Sequence, residues 1–159
     1  MLTEQTLYHM ELEMALYLKR EPCEVVITNL PEEYSSVVTM YESQNHIIIV
    51  NELPASKLTD LELIASIIHE GRHAYQYEQI KGLNRYKEDP KRINRWKKEF
   101  DNYQQPNSLN PSEYAIQEIE IDAISFTQVT LEKLGYPNLD IPKELKKEVE
   151  KRIKEIKIN

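Results

Sequence analysis

Leu7, Met10, Met14, Tyr17 and Leu18 recur at intervals of three, four and one. That spacing puts them on one side of an amphipathic helix over about residues 4–20, which Pro22 ends. The pattern then changes. "EVVIT" (24–28), "SSVVTMY" (35–41) and "HIIIV" (46–50) are rich in β-branched residues and predict three strands. "ESQN" (42–45) reads as the turn of a hairpin between the last two. The unbroken "IIIV" run suits a strand covered on both faces.

Helical periodicity returns in the second half of the chain. In "LTDLEL", Thr59 is placed as an N-cap with Glu62 at N3, a capping box, and Leu58 and Leu63 fit a hydrophobic staple. Gly82 supplies the stop, so one helix spans about 60–81. Asp89 and Pro90 can open a helix whose Ile93, Trp96, Phe100 and Tyr103 share a face. Asn110, Pro111 and Glu113 open a further predicted helix over about 111–134, closed by Gly135 and Pro137. A last one, about 142–156, carries Leu145, Val149, Ile153 and Ile156 on one stripe. The expected architecture is α+β. A small, mostly antiparallel sheet packs on the 60–81 helix with further helices behind it, and residues 1–159 form a single domain.

Composition agrees with that picture. The chain has 159 residues, of which 40% are hydrophobic and 30% charged, as expected for one globular core. No apolar run approaches the ~20 residues of a membrane span, and the acidic, amphipathic N-terminal stretch does not resemble a secretory signal. Cys23 is the only cysteine, which excludes an internal disulfide and a cysteine-based metal site and favours a reducing, cytoplasmic setting. A net charge of −7 argues against a general nucleic-acid binder. The basic stretch 81–98, around Tyr86 and Trp96, reads more simply as an amphipathic helix that covers the core or walls a site.

Two of the four histidines stand in one place, "IASIIHEGRHAYQYE" (64–78). Residues four apart project from one helix face, so His69 and His73 can aim both imidazoles at one point. Zinc takes neutral imidazole nitrogens at about 2.0–2.1 Å in tetrahedral geometry, and two histidines one turn apart supply two corners. Glu70 lies about 100° round from His69, off the metal but beside any water it holds, where a carboxylate can act as general base. The spacing is H-E-x-x-H. Its flanks are mostly apolar, so these polar groups need partners.

A catalytic zinc usually has a third protein ligand. His9 and His46 are candidates in principle, but His9 belongs to an exposed helix face and His46 to a hairpin edge. The better candidate lies in "QEIEIDAISF", where Glu118 and Asp122 share a face. On this reading Glu118 ligates, Asp122 accepts a hydrogen bond from the non-ligating nitrogen of one histidine, and Glu120 points away into solvent. The plain alternative is that Glu118 and Asp122 are surface charges.

"HEGRH" (69–73) followed by "EIEID" (118–122), with Ala123 and Phe126 after it, resembles the gluzincin group of zinc metallopeptidases, including small intracellular ImmA/IrrE-like proteins. In that family Asn often stands where this chain has Asp122. The resemblance implies a zincin-like fold and one Zn²⁺ per chain held by His69, His73 and Glu118, with Glu70 as general base. It implies a peptide or protein substrate that can pair with a sheet edge. It names no oxyanion stabiliser; Tyr114, one turn before Glu118, is the candidate here. Two other readings stay open: a metal-binding regulatory module that acts on one dedicated protein partner, and a non-enzymatic structural domain.

Overall fold

The computed structural model describes residues 2–101 and 117–158. Among them are six helices and one three-stranded sheet, an α+β arrangement. In chain order these are α1 (Glu4–Leu18), β1 (Glu24–Thr28), β2 (Thr39–Glu42), β3 (Ile47–Asn51), α2 (Glu52–Ala55), α3 (Asp60–Lys81), α4 (Pro90–Asp101), α5 (Glu118–Lys133) and α6 (Lys146–Ile158).

The sheet is mixed, a correction to the mostly antiparallel expectation. Its order is β1-β3-β2, with β1 parallel and β2 antiparallel to β3. The β2–β3 hairpin forms as the pattern predicts. The apolar β3 takes the central position, so β1 must pair on its other side. Residues 35–38 do not extend β2. Pro31 opens a 3-10 turn at Glu32–Tyr34, and the Asn51 side chain donates to the carbonyls of Tyr34 and Val37, which holds the chain up to Val37 out of the ladder.

Helix α3 is the centre of the molecule and follows the sequence signals closely. Thr59 and Glu62 make the reciprocal capping box, and Gly82 ends the helix in the left-handed conformation that glycine adopts without strain. One side of α3 meets the sheet through Leu63, Ile67 and Ala74, joined by Ile48, Val50 and Leu7 of α1. The other side meets α1, α4 and α5 through Ile64, Ile68, Tyr75, the fully buried Trp96, Ile119 and Phe126.

Two buried ion clusters fasten this core. In the first, Arg20 forks onto Glu11 at 2.5 and 2.6 Å, and Glu11 also accepts from the Cys23 backbone N–H. This pair presses against Gly71 of α3. A Cβ there would stand 2.6 Å from Arg20 Nη2 and 2.9 Å from Glu11 Oε2. In the second, Asp122 of α5 accepts from Arg72 of α3 at 2.8 and 3.2 Å and from Arg152 of α6 at 2.7 Å. The Arg72 guanidinium also lies over the Tyr75 and Phe126 rings. Burial alone would raise the Asp122 carboxyl, but the two arginines overcome it and hold the group ionised, below the usual carboxylate range.

Helix α5 begins later than its pattern suggests. Gln117 is extended (φ −61°, ψ 139°), so no helix runs through it. The Glu99 carboxylate of α4 accepts from the backbone N–H groups of Glu118 and Ile119 at 2.9 and 2.8 Å and so caps α5 from outside. Asn110, Pro111, Glu113 and Tyr114 lie outside the described residues.

Two stability outcomes follow from the ion clusters. Gly71→Ala must displace a buried, doubly bonded pair and should cost about 1–3 kcal/mol in urea unfolding; unchanged stability would mean that α1 yields freely. Asp122→Ala, measured in chelator, strands two buried guanidinium groups and should cost about 3–5 kcal/mol; a loss below about 1 kcal/mol would show that the cluster is solvated.

Candidate metal centre

The site forms where α3 faces the first turns of α5. His69 and His73, one turn apart on α3, place their Nε2 atoms 3.1 Å from each other. Glu120 reaches between them. Its Oε2 is 3.2 Å from His69 Nε2 and its Oε1 is 3.2 Å from His73 Nε2. Among the described residues, these three form the one group of histidine, cysteine, aspartate or glutamate side chains with metal-ligating potential.

The donor set and its spacing fit a tetrahedral cation. Ligands 2.0–2.2 Å from zinc stand roughly 3.3–3.6 Å apart along a tetrahedral edge; the two imidazole nitrogens here are 3.1 Å apart, and each lies 3.2 Å from a different oxygen of Glu120. Protonation also draws attention to the point between the donors. Gln76 Nε2 donates to Ile119 O at 2.9 Å and to Asp122 Oδ2 at 2.7 Å, so its oxygen must be the atom 2.9 Å from His73 Nδ1. His73 therefore carries a proton on Nδ1, and the lone pair of its neutral ring lies on Nε2, facing a carboxylate oxygen and a second imidazole. A proton on either imidazole Nε2, or a cation shared by all three groups, would match the Glu120 carboxylate. Burial disfavours imidazolium, yet Glu120, helped by Glu70 and the Gln76 bond, pushes His73 up to about 9. Burial likewise opposes the Glu120 carboxylate, and the two histidines outweigh it and lower that group below the ordinary range.

Glu70 stands beside this cluster and is held by the sheet. Its Oε1 accepts from Thr39 Oγ1 at 3.0 Å and its Oε2 from the Tyr41 backbone N–H at 2.9 Å. Val38 O pairs with Asn51 N, so the alternation of the ladder turns the backbone of Thr39 and Tyr41 towards the open edge of β2. Glu70 is 8% exposed and retains acceptor positions that these two bonds leave free. A groove of about 360 Å³ opens next to His69, between Thr39 of β2, Ala65 of α3, Ile124 of α5 and the segment through Ile141. Most of its wall is apolar. His69 is the ligand candidate that reaches solvent, with 23% of its side chain exposed, against 7% for His73.

The sequence placed His69, Glu70 and His73 together, and the structure does so too. It does not bring Glu118 to them. Glu118 turns towards α4, where the Arg95 guanidinium forks onto both its oxygens, Nη2 at 2.9 Å, with Arg92 nearby. Glu120, expected in solvent, is 3% exposed and takes the place proposed for Glu118. The cause is rotational. Positions 118 and 122 share a face, which is claimed by Arg95 of α4, Arg152 of α6 and Arg72 of α3, whereas Glu120 projects from the other side of α5 onto His69 and His73. Asp122 is also one bond further away than expected, since Gln76 intervenes between it and His73. His9 is exposed on α1, and His46 bonds Tyr41 and the Glu21 carbonyl at the sheet edge, so neither joins the cluster. Arg72, inside the motif itself, was the available clue, because a buried arginine demands an acid, and pairing it with Asp122 turns Glu120 inward.

Elemental analysis after zinc loading and desalting distinguishes the two glutamates. Wild type and Glu118→Ala should each keep about one Zn²⁺ per chain, while Glu120→Ala should lose it. Zinc retained by Glu120→Ala and lost by Glu118→Ala would restore the sequence-based assignment. Comparison of the chain with protein-family models, with curated proteins and with solved structures gave no match.

Proposed function

We propose that this chain is a zinc-dependent metallopeptidase of gluzincin type, with His69, His73 and Glu120 as the metal ligands and Glu70 as the general base. The observation that carries the reading is the convergence of two imidazole nitrogens and a carboxylate at 3.1–3.2 Å separations beside a glutamate fixed to a strand edge. Zinc bound by such a set lowers the pKa of its water to about 7 and polarises a carbonyl.

The residues of the chain supply the rest. Glu70 takes a proton from the attacking water as the carbon–oxygen bond forms. It then delivers that proton to the amine nitrogen as the carbon–nitrogen bond breaks, so its carboxylate is regenerated. The bonds from Thr39 and Tyr41 hold that carboxylate in one orientation, which spares the reaction the cost of ordering it. His73, protonated on Nδ1 by its bond to Gln76, presents Nε2 to the cation. An extended peptide can lie in the groove beside His69, along the open edge of β2, with an apolar side chain against Ala65, Ile124 and Ile141.

Cleavage of a broad-sequence peptide library by the zinc-loaded protein, read by mass spectrometry, tests the assignment. Wild type should cut. Glu70→Gln should keep about one Zn²⁺ per chain and lose about 10²–10⁴-fold in rate. A Glu70→Gln protein that cuts as fast as wild type, or a zinc-loaded wild type that cuts nothing, would contradict the proposal.

A further inference from the structure

The two H-E-x-x-H histidines are supported unequally. Among the described contacts, His69 meets His73 and Glu120 through Nε2, whereas His73 also has a partner on its other nitrogen. That partner, Gln76, is completely buried one turn further along α3, and the contacts above use all of its hydrogen-bonding groups but one lone pair. One N–H goes to the Ile119 carbonyl and the other to Asp122, and the oxygen receives His73 Nδ1–H. The amide cannot flip, because its oxygen would then face a carbonyl and a carboxylate at 2.9 and 2.7 Å. Asp122 cannot shift towards it either, since Arg72 and Arg152 grip the same carboxylate from α3 and α6.

From this we infer that Gln76 is a positioning residue for the metal centre. It fixes the ring orientation and Nδ1–H tautomer of His73, and relays to it the anchorage of Asp122 and the two arginines. The inference rests on the ligand assignment above. It explains why His73 has an amide where a carboxylate is the commoner partner. A carboxylate at position 76 would stand against Asp122 and the Ile119 carbonyl, whereas an amide satisfies an N–H donor on one side and two acceptors on the other. It also makes the last helix part of the support of the site, through Arg152 and Asp122. Outer partners of this kind typically change metal affinity by about 10–100-fold.

The test is competition for Zn²⁺ against a chromophoric chelator, with wild type, Gln76→Met and Leu7→Ala. Methionine matches the volume of glutamine and cannot hold the imidazole, and Asp122 keeps its bonds to both arginines. Leu7→Ala thins the core between α1 and the sheet and controls for lost stability alone. Gln76→Met should bind Zn²⁺ about 10–100-fold more weakly, while Leu7→Ala should bind as wild type does. In nitrogen-15 spectra of the zinc-loaded wild type, His73 should be metallated at Nε2 and carry its proton on Nδ1. Undiminished affinity in Gln76→Met, an equal loss in Leu7→Ala, or metallation of His73 through Nδ1 would overturn the inference while leaving the metal site standing. A wild type that binds no Zn²⁺ would instead overturn the site, and this inference with it.

Discussion

The bond between Arg72 and Asp122 sets the relation of α3 to α5, and the candidate centre depends on that relation. Arg72 stands immediately before His73, and Asp122 two residues after Glu120. Locking the first pair fixes how far α5 is slid along α3 and how it is turned about its own axis. With Asp122 directed at Arg72 and Arg152, Glu120 has to project from a different side of α5, across from the single turn that carries His69 and His73. A carboxylate two residues away in either direction would miss. The clamp is expensive in isolation, because a guanidinium and a carboxylate must both leave water. Aromatic rings lie over the Arg72 guanidinium, and a second arginine from α6 and the Gln76 amide join Arg72 on the carboxylate.

The small sheet has a comparable role on the opposite side of the motif. Its three strands rest on α3 through Ile48, Val50 and their neighbours. In that position the outer strand turns the Tyr41 amide and the Thr39 hydroxyl towards Glu70. One turn of α3 therefore meets two different surroundings: α5 matches the two imidazoles with a carboxylate, and β2 holds the intervening glutamate with two neutral donors. Gly71, on the remaining side, is bare so that the Glu11–Arg20 pair of α1 can close over it. The two histidines thus share Glu120, while Glu70, Gly71 and Arg72 each answer to a different neighbour.

Much of this could be read from the chain before any coordinates. The capping box at Thr59 and Glu62, the glycine stop at Gly82, the hairpin and the pairing of His69 with His73 rest on local rules, namely side-chain reach over one turn and backbone freedom at one residue. The features that escaped are all decided by partners distant in sequence. Whether Glu118 or Glu120 meets the histidines is settled by Arg95 and Arg72, 23 and 50 residues away from their respective acids. The start of α5 is set by Glu99 on another helix, and the parallel pairing of β1 by β3, which lies between β1 and β2 in the sheet. An E-x-x-x-D pattern reports which two acids share a helix face and carries no information about which way that face turns.

The central claim is that two imidazoles and one carboxylate converge on a single divalent cation. Zinc K-edge X-ray absorption of the loaded protein measures that shell directly. The account predicts about four nitrogen or oxygen neighbours near 2.0–2.1 Å, with the outer-shell scattering of two imidazole rings and no sulfur. A sulfur neighbour near 2.3 Å, which Cys23 alone among the cysteines could supply, or a shell without imidazole scattering, would contradict it.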